Sequence, residues 1–299
     1  MKENGYPLHL IAAIKSTYLN TSISLDINGN LSTDKIYSNK GVRQGCCLSP
    51  TLFNIYIDDI IKLWKKKINV GFKINKNTLF NIILYADDIA LVFEKEDDLQ
   101  RGIYQLNMIC KTFDMNISTQ KTKVMAFSGK QHIRTKIVVN NQTLEQVNHF
   151  NYLGCDISYG FDKDIQSKVS KFGHICGSID KFLRNKTTKE TRLKFYKTVA
   201  VPTLMHGSES WVTNTKHKQI IQTAEMKFLR SVKRCSRLDR IRNENIREEL
   251  KIYNLNERIE ENREKWKEHL NRMENERIPK IIRGYRPKGK RSLGRPRKR

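Results

Sequence analysis

The sequence predicts an α+β protein, with strands and helices in its first half and helices in its second half. Up to about residue 158, short runs of Ile, Val, Leu and Phe alternate with polar residues, which is typical of strands. Beyond that point, apolar residues recur at helical spacing. The charge changes as well: residues 131–299 hold 39 Lys and Arg against 19 acidic residues, and residues 1–130 hold 17 against 12. The excess of basic residues in the second half predicts a polyanionic partner, and nucleic acid is the default choice. The alternative is that this charge only keeps the protein soluble.

The first elements are a helix over residues 7–18 and a hairpin over residues 20–39. Leu10, Ile11, Ile14 and Tyr18 share one helical face. The following segment alternates apolar and polar residues and contains Asn28-Gly29, a strong signal for a two-residue hairpin turn.

A glycine-containing loop and a long helix come next. Gly41 and Gly45 bracket the loop, Ser49 is the predicted N-cap, and Pro50 takes the first helical position. Apolar residues then recur at helical spacing up to Trp64. Such a loop can bring backbone N–H groups to a phosphate, although many helices begin this way. Asp58-Asp59 falls within the helix, as surface charge or as a local partner for Lys62.

Residues 82–93 read I-I-L-Y-A-D-D-I-A-L-V-F, two apolar runs separated by Asp87 and Asp88. This pattern predicts a β-hairpin with the aspartates at its tip. At about 4 Å and an effective dielectric constant near 20, the two charges repel by about 4 kcal/mol. Either one carboxyl is protonated, or both point into water, or divalent cations neutralise them. An ordinary solvated turn is the alternative to a catalytic pair.

Helical stripes predict a small bundle after residue 158. The first helix carries Ile165 to Leu183 and is capped by Asp162 or Asp164; the second begins at Thr188 and stops at Pro202. A third contains Ile221 to Val232, and a fourth contains Ile259 to Met273. The basic residues of the first two helices are predicted to contact phosphates: Lys168, Lys171, Lys181, Arg184, Lys186, Lys189, Arg192, Lys194 and Lys197.

Several classes of protein are not expected. The six cysteines form no even framework, no apolar run reaches the length of a membrane span, and residues 1–10 do not resemble a signal peptide. We therefore expect an intracellular protein that is not secreted, with the nucleus as one candidate location. His174, Cys176, His206 and His269 lack zinc-site spacing, so no zinc is expected.

The last 16 residues, 284–299, hold eight Lys and Arg, no acid and two prolines, and are expected to be disordered. Leu293-Gly294-Arg295-Pro296-Arg297 resembles half of an AT-hook, in which arginines enter a narrow minor groove. A nuclear-import patch and nonspecific contact with polyanions are the alternatives.

Two sequence blocks in this order resemble reverse transcriptases of non-LTR (LINE-type) retrotransposons. The first is R-Q-G-C-C-L-S-P-T-L-F-N-I-Y-I, beginning at Arg43, and the second is L-Y-A-D-D-I-A-L-V, about thirty residues later. F-N-Y-L-G at 150–154, P-T-L-M-H-G-S-E-S-W at 202–211 and the closing G-R-P-R-K-R extend the resemblance along nearly the whole chain.

The resemblance implies part of a right-hand polymerase: an antiparallel palm sheet with helices, then an all-α thumb and a basic helical extension. It divides the chain into a partial palm (1–158), a thumb and connection (159–235), an extension (236–283) and the tail (284–299). Asp87 and Asp88 would be catalytic metal ligands, with Tyr85 beside them. Gln44 and Gly45 would lie along the incoming nucleotide or template. Arg43 would contact phosphate, or form a plain salt bridge.

Two further sites follow from the resemblance alone. Lys121 would act as general acid toward the leaving pyrophosphate, although Lys123 is a neighbouring candidate and both could be ordinary surface lysines. Tyr152, Leu153 and Gly154 would form the primer-grip turn.

One part of the implied site is not found. The family's metal site takes another Asp from a strand that precedes the helix at 7–18, and Asp26 and Asp34 lie too near Arg43 to be it. Magnesium or manganese is therefore expected only if that carboxylate is supplied, and we expect the chain alone not to polymerise. RNA template, DNA primer and dNTP are the expected partners, with no membrane. The alternative is a non-catalytic module that binds RNA or DNA.

Overall fold

The computed structural model describes residues 1–2, 5–24, 26–27, 30–31, 35–38, 40–127, 133–160 and 162–286. It combines helices with small two-stranded sheets, so the mixed α+β class is confirmed. The chain forms two compact units. The first comprises Met1–Thr119 and Ile137–Thr143; the second comprises Gln120–Lys136 and Leu144–Arg299.

The first unit begins with helix α1 (Leu8–Tyr18), as predicted. Strands β1 (Ser22–Ile23) and β4 (Ile36–Tyr37) pair around the inner pair β2 (Asp26–Ile27) and β3 (Asn30–Leu31). Ile27 lies opposite Asn30, so the register leaves a two-residue turn at the predicted place, while Asn28-Gly29 itself lies outside the described residues. None of the residues of α1 is buried.

The core of the first unit lies between α2 (Ser49–Lys67) and α3 (Glu96–Thr112). Ile60, Ile61 and Trp64 of α2 meet Leu106 and Ile109 of α3 because each set recurs at helical spacing. The predicted pair of Asp58 with Lys62 is confirmed at 2.6 Å. Short pairs complete the unit: β5 (Phe72–Lys73) with β6 (Leu79–Phe80), β7 (Ile82–Tyr85) with β8 (Asp88–Leu91), and β10 (Val138–Val139) with β11 (Gln142–Thr143).

Ser49 is not the N-cap of α2, contrary to prediction. Leu48 holds that position, and Ser49 is the first helical residue, with Pro50 in the first turn. The Ser49 hydroxyl instead donates to the Arg43 carbonyl oxygen at 2.5 Å. Its partner therefore lies in the preceding loop, so the side chain ties that loop to the helix start.

The second unit begins with two short strand pairs and continues as helices. β9 (Lys123–Val124) pairs in parallel with β12 (Glu145–Gln146), and β13 (His149–Tyr152) pairs with β14 (Cys155–Ser158). The helices are α4 (Asp162–Leu183), α5 (Lys189–Phe195), α6 (Val201–Met205), α7 (Thr215–Lys233), α8 (Asn243–Leu250), α9 (Leu255–Arg272) and α10 (Ile278–Arg283). A single core cluster joins the faces of α4 to α9. The predicted helices at α4, α7 and α9 are confirmed, whereas α8 and α10 carry no predicted stripe.

The second predicted helix does not stop at Pro202. After α5, whose N-cap is Thr188, the chain makes a π-helical turn at Tyr196–Ala200 and continues as α6. Proline has no N–H to donate to the preceding turn, and a π-helical turn changes the hydrogen-bond ladder at that point. Pro202 therefore lies in the first turn of a new segment.

Two of the predicted phosphate-contacting residues are structural. Lys168 and Arg192 are each only 2% exposed. Lys168 lies beside Asp164 and Cys155, and Arg192 donates to Asp180, so their charges serve the interior of the unit. Among the described residues, no helix is long and apolar enough to cross a bilayer.

Candidate active site and its supporting turns

A two-residue turn forms the tip of the β7–β8 hairpin. Tyr85 lies opposite Asp88, which leaves Ala86 and Asp87 as the turn. Ala86 has a positive φ of 52° and Asp87 does not, the sign pattern of a type II′ turn. Glycine usually takes that first position, so alanine there adds backbone strain. The turn therefore lies one residue earlier than predicted, since Asp88 already belongs to β8.

The two faces of this hairpin have different environments. Ile82, Ile89 and Leu91 pack against the α2–α3 core. Because side chains alternate along a strand, Tyr85 and Asp88 share the other face, where Tyr85 is 64% exposed. The core thus fixes the hairpin from one side and leaves the aspartate face open.

The carboxylates of Asp87 and Asp88 are both exposed. Within the described part of the chain, neither forms a hydrogen bond or an ion pair, and no group of three His, Cys, Asp or Glu could hold a metal ion. Two carboxylates are donors of the kind that Mg²⁺ prefers, and Mg²⁺ is usually bound by one or two of them together with water and substrate phosphates. Asp87 and Asp88 can therefore supply some of the ligands of a magnesium site, while water and substrate phosphates would supply the others.

Arg43 is bound to the end of α1. Its guanidinium donates to the Thr21 hydroxyl at 2.9 Å and to the Thr17 carbonyl oxygen, and it lies 5.5 Å from the centre of the Tyr18 ring. Among the described residues no acidic side chain pairs with Arg43. Phosphate contact by Arg43 stays a prediction.

Gln44 and Gly45 are exposed at the turn before α2. Gly45 has a φ of 83°, and a Cβ added there would meet no described atom within 4 Å. The backbone conformation alone therefore favours glycine at this position. Contact of Gln44 and Gly45 with a nucleotide or template stays a prediction.

Lys121 and Lys123, the two candidate lysines of the second unit, differ in their ion-pair partners. Lys123 lies in β9, and its Nζ pairs with Glu145 Oε2 of β12 at 2.5 Å. Lys121 lies in the preceding turn, is exposed, and has no ion pair in the described chain. Lys121 is thus the lysine whose ammonium group is available to a ligand.

The predicted primer-grip turn, Tyr152–Gly154, is the tip of the β13–β14 hairpin. Leu153 and Gly154 both have positive φ, 50° and 77°, as a type I′ turn requires. The turn packs against the end of α6: His206 Nε2 donates to the Leu153 carbonyl oxygen at 3.0 Å. A Cβ on Gly207 would collide with the Cys155 sulfur atom.

A buried charged group lies under this turn. Lys168 donates to the His206 carbonyl oxygen and lies 3.5 Å from Asp164. Asp162 and Asp164, the predicted caps of α4, both lie in its first turn. Asp164 accepts from the Asp156 amide at 2.9 Å and from Trp211 Nε1 at 2.6 Å. These contacts join β14, α4 and the segment after α6.

Sequence reasoning assigned no role to the segment 202–211, although His206, Gly207 and Trp211 all support the turn. The available signal was His-Gly after an apolar helix, since glycine favours the left-handed conformation that ends helices, and Gly207 has a φ of 73°. The tail residues Arg295 and Arg297 lie outside the described residues, so their nucleic-acid contact stays a prediction.

The first half of the chain matches a known family. Residues 4–157 match the model described as "Reverse transcriptase (RNA-dependent DNA polymerase)". The matched range includes the loop at Arg43–Gly45, both hairpin tips and Lys121.

Curated relatives align over more of the chain. It is 25% identical to "RNA-directed DNA polymerase from mobile element jockey" of Drosophila funebris, over 87% of this chain and 29% of the relative. It is 25% identical to "Retrovirus-related Pol polyprotein from type-1 retrotransposable element R2" of Popillia japonica, over 70% of this chain and 34% of that protein. The jockey protein of Drosophila melanogaster is 21% identical over 89% of this chain. The chain therefore spans about a third of the length of these relatives.

Proposed function

This chain belongs to the reverse transcriptase family, and to the kind found in non-LTR retrotransposons, and from that premise we propose that Asp87 and Asp88 bind metal in an RNA-directed DNA polymerase. The observation that carries the proposal is the hairpin tip itself. Asp87 in the strained two-residue turn and Asp88 at the start of β8 hold two exposed carboxylates that have no partner among the described residues, on a hairpin whose opposite face packs on the α2–α3 core.

The two aspartates would hold divalent cations beside the primer end and the nucleotide triphosphate. When bound, such cations lower the pKa of a hydroxyl nucleophile and neutralise charge on phosphate. The aspartates contribute fixed, hard oxygen donors, since β7 and β8 set the position of the turn. Tyr85 would lie against the substrate, because its exposed ring shares the Asp88 face.

Further roles extend the same proposal. Lys121 would donate a proton to the leaving pyrophosphate, and its exposed, unpaired ammonium group supports this choice over Lys123. Gln44 and Gly45 would line the nucleotide or template. Tyr152 to Gly154 would grip the primer, with RNA as template and DNA as product.

We further propose that this chain alone does not extend a primer. Two carboxylates form only part of the metal site, and within the described residues no third acidic side chain joins them. Positioning and electrostatic stabilisation carry most of the rate enhancement in such chemistry, so an incomplete site is expected to be slower by many orders of magnitude.

Paramagnetic Mn²⁺ tests the metal site without requiring activity. We expect it to broaden the amide NMR signals of Tyr85 to Asp88, and to lose this effect in Asp87→Asn/Asp88→Asn. The control is Asp58→Asn/Asp59→Asn, another Asp-Asp pair, which lies within α2. Equal broadening in the wild type and the tip variant would exclude the tip as a cation site.

Primer extension on an RNA template tests the polymerase. We expect no extension by the chain alone, and extension when it is fused to the preceding segment of the Drosophila funebris relative. The tip variant should abolish activity in the fusion. Extension by the chain alone would overturn the requirement for a third carboxylate, and extension that survives Asp87→Asn/Asp88→Asn would overturn the catalytic assignment.

A second candidate function is non-catalytic nucleic-acid binding, which the charge of the second half favours. Residues 131–299 carry 20 more basic than acidic residues. Salt-sensitive duplex binding that is unchanged in the tip variant, without extension in any form, would support this function alone.

A further inference from the structure

Ser236, in the loop after α7, follows two basic residues at fixed spacing. Lys233 and Arg234 stand three and two positions before it, in the order Lys-Arg-Cys-Ser. Protein kinases select their substrates partly by charge patterns around the acceptor residue, and the basophilic Ser/Thr kinases select Lys or Arg at these two positions. The local sequence therefore fits the substrate pattern of a basophilic kinase.

The backbone around Ser236 is accessible to another enzyme. Ser236 is exposed, α7 ends at Lys233, and residues 235–236 belong to no helix or strand. A kinase binds its substrate segment in an extended form, so a serine within a helix is accessible only after the helix unfolds locally. Ser170, for example, is exposed but lies within α4. The loop thus presents Ser236 without any loss of helical structure.

Ser236 also lines an open groove between α4, the C-terminal half of α7 and the loop that follows α7. The volume of this groove is about 1070 Å³, far more than one phosphate group occupies. We call it the arginine groove. The described residues that line it include five cations: Arg184, Lys227, Arg230, Arg234 and Arg237.

Three of these cations have no partner in the described chain. The side chains of Lys227, Arg234 and Arg237 form no hydrogen bond and no ion pair there, and all three are exposed. Arg230 holds the loop by donating to Asn243 at 2.8 Å, but its buried Nε has no hydrogen-bond partner among the described residues. The groove therefore contains N–H donors that an anion could use.

The acids described in the lining leave an excess of positive charge. They are Asp180 and Asp239, two carboxylates against five cations. Asp180 accepts from the Ser231 hydroxyl at 2.6 Å and from Arg192, a buried residue outside the lining. Asp239 accepts from the Ser236 amide at 2.6 Å. Both carboxylates are thus engaged already, and a further anion would meet a net positive surface.

Phosphorylation would change the partners of the Ser236 side chain. Its hydroxyl now donates to Asp239 Oδ2 at 3.1 Å and accepts from the Leu238 amide at 3.1 Å. A phosphoserine carries a charge of about −1.5 to −2 at pH 7 and three strong acceptor oxygens. Asp239 would repel this group, while the cations of the arginine groove would attract it. The modified side chain would therefore leave Asp239 for the groove.

We propose that Ser236 is phosphorylated by a basophilic Ser/Thr protein kinase and that the arginine groove holds the phosphate. Ser236 Oγ would bond to the γ-phosphorus of ATP while the bond from that phosphorus to the β,γ-bridging oxygen breaks. ADP leaves, and the hydroxyl proton passes to the catalytic aspartate of the kinase. The phosphate would then use the donors that are free in the unmodified chain.

Treatment of the full chain with the catalytic subunit of cyclic-AMP-dependent protein kinase and ATP tests the site. Mass spectrometric mapping should find phosphate on Ser236, and Ser236→Ala should remove it. The matched control is Ser170→Ala, at the exposed serine that lines the same groove from within α4, and it should leave Ser236 phosphorylation unchanged. Ser236→Thr should still take phosphate at this position, at a lower rate.

Phosphate on other residues alone would overturn the assignment of Ser236. Thr187 has Arg184 three positions before it, but it is half-buried and its hydroxyl donates to the Leu183 carbonyl oxygen at 3.0 Å. Ser292 follows Lys290-Arg291 and lies outside the described residues. Mapping that finds phosphate at Thr187, Ser292 or Ser170, with none at Ser236, is the contradicting result.

The ³¹P NMR signal of the phosphorylated chain tests the groove. The second ionisation of phosphoserine falls near pH 6, and neighbouring cations favour the dianion. We expect the midpoint of the ³¹P titration to lie about one pH unit lower in the folded chain than in the chain unfolded by urea. Arg184→Gln/Lys227→Gln should remove most of this difference. These variants keep Lys233 and Arg234, so the kinase still has its recognition pattern.

The matched control for the groove is Lys163→Gln/Lys216→Gln, two exposed lysines in the first turns of α4 and α7 and outside the groove lining. It should keep the full difference in midpoint. Arg184→Lys/Lys227→Arg retains both charges and should keep the difference too, which separates loss of charge from misfolding. Equal midpoints in the folded and unfolded chains, or equal losses in the groove and control variants, would overturn the groove as the phosphate site.

The phosphorylation site is independent of the polymerase proposal, because no residue of the β7–β8 hairpin tip takes part in it. Asp87→Asn/Asp88→Asn should be phosphorylated to the same extent as the wild type. Failure of the polymerase proposal is therefore distinguishable from failure of this one.

Discussion

The two compact units differ in whether they bury charged side chains and in whether the tip of their hairpin packs against other residues. In the first unit the described buried polar residues, Ser49, Asn81 and Asn107, are all neutral, and the aspartates of its hairpin tip are exposed without partners. The second unit buries charged side chains and holds its tip against His206. Burial of charge fixes geometry only when each group is paired, whereas an unpaired exposed tip is available to a ligand. The first unit thus leaves the tip of its β7–β8 hairpin open, whereas the second unit holds the tip of its β13–β14 hairpin by packing.

Breaking a buried ion pair is expected to have the largest effect. Glu225 is fully buried and accepts from Arg247 Nη2 at 2.6 Å and from Tyr196 at 3.4 Å. Arg247→Ala should lower the free energy of unfolding of the second unit by about 3–5 kcal/mol, measured by guanidinium denaturation, because it leaves a buried carboxylate unpaired. Lys218→Ala, which removes an exposed pair with Glu260, should lower it by less than about 1 kcal/mol.

The loss of unfolding free energy in Arg247→Ala should depend on pH. Burial raises the pKa of Glu225, while Arg247 lowers it. A carboxyl with a raised pKa in the folded state binds its proton more tightly there than in the unfolded chain. Its stabilising contribution is therefore full below about pH 4.5 and decreases as the pH rises through the folded-state pKa. The Arg247→Ala variant should lose more stability at pH 8 than at pH 5; equal losses would contradict a buried ionised Glu225.

Two glycines allow a comparison between a turn that packs against other residues and a turn that does not. Gly207 and Gly45 both have positive φ, 73° and 83°, but a Cβ on Gly207 would collide with Cys155 while one on Gly45 would meet nothing. Gly45→Ala should destabilise its unit by about 1–2 kcal/mol from backbone strain alone. Gly207→Ala should cost about 1–3 kcal/mol more, because overpacking adds to the same strain. Thermal unfolding of both variants checks this order, and equal losses would show that the β13–β14 tip is not packed as described.

The smallest effect concerns the strained alanine at the free tip. Ala86→Gly should raise the stability of the first unit by no more than about 1 kcal/mol, since glycine adopts a φ of 52° without steric cost. Hydrogen exchange of the β7–β8 amides measures the change. Leu153→Gly, at a φ of 50° in the held turn, is the comparison. A loss of stability in Ala86→Gly would indicate that the alanine methyl group has a packing role.

Local patterns determined much of this protein from the sequence alone. Helical spacing located α2, α4, α7 and α9, because a stripe of apolar residues reports which face of a helix is buried whatever it packs against. Asn28-Gly29 and the aspartate pair located two hairpins, and the motifs beginning at Arg43 and Leu84 identified the family.

Only the tertiary structure decided which individual residues are available. Lys168 and Arg192 look like the other lysines and arginines of their helices, yet both are buried because Asp164 and Asp180 pair with them. His206 supports Leu153 from 53 residues away. Such partners are set by long-range packing, which local periodicity does not encode.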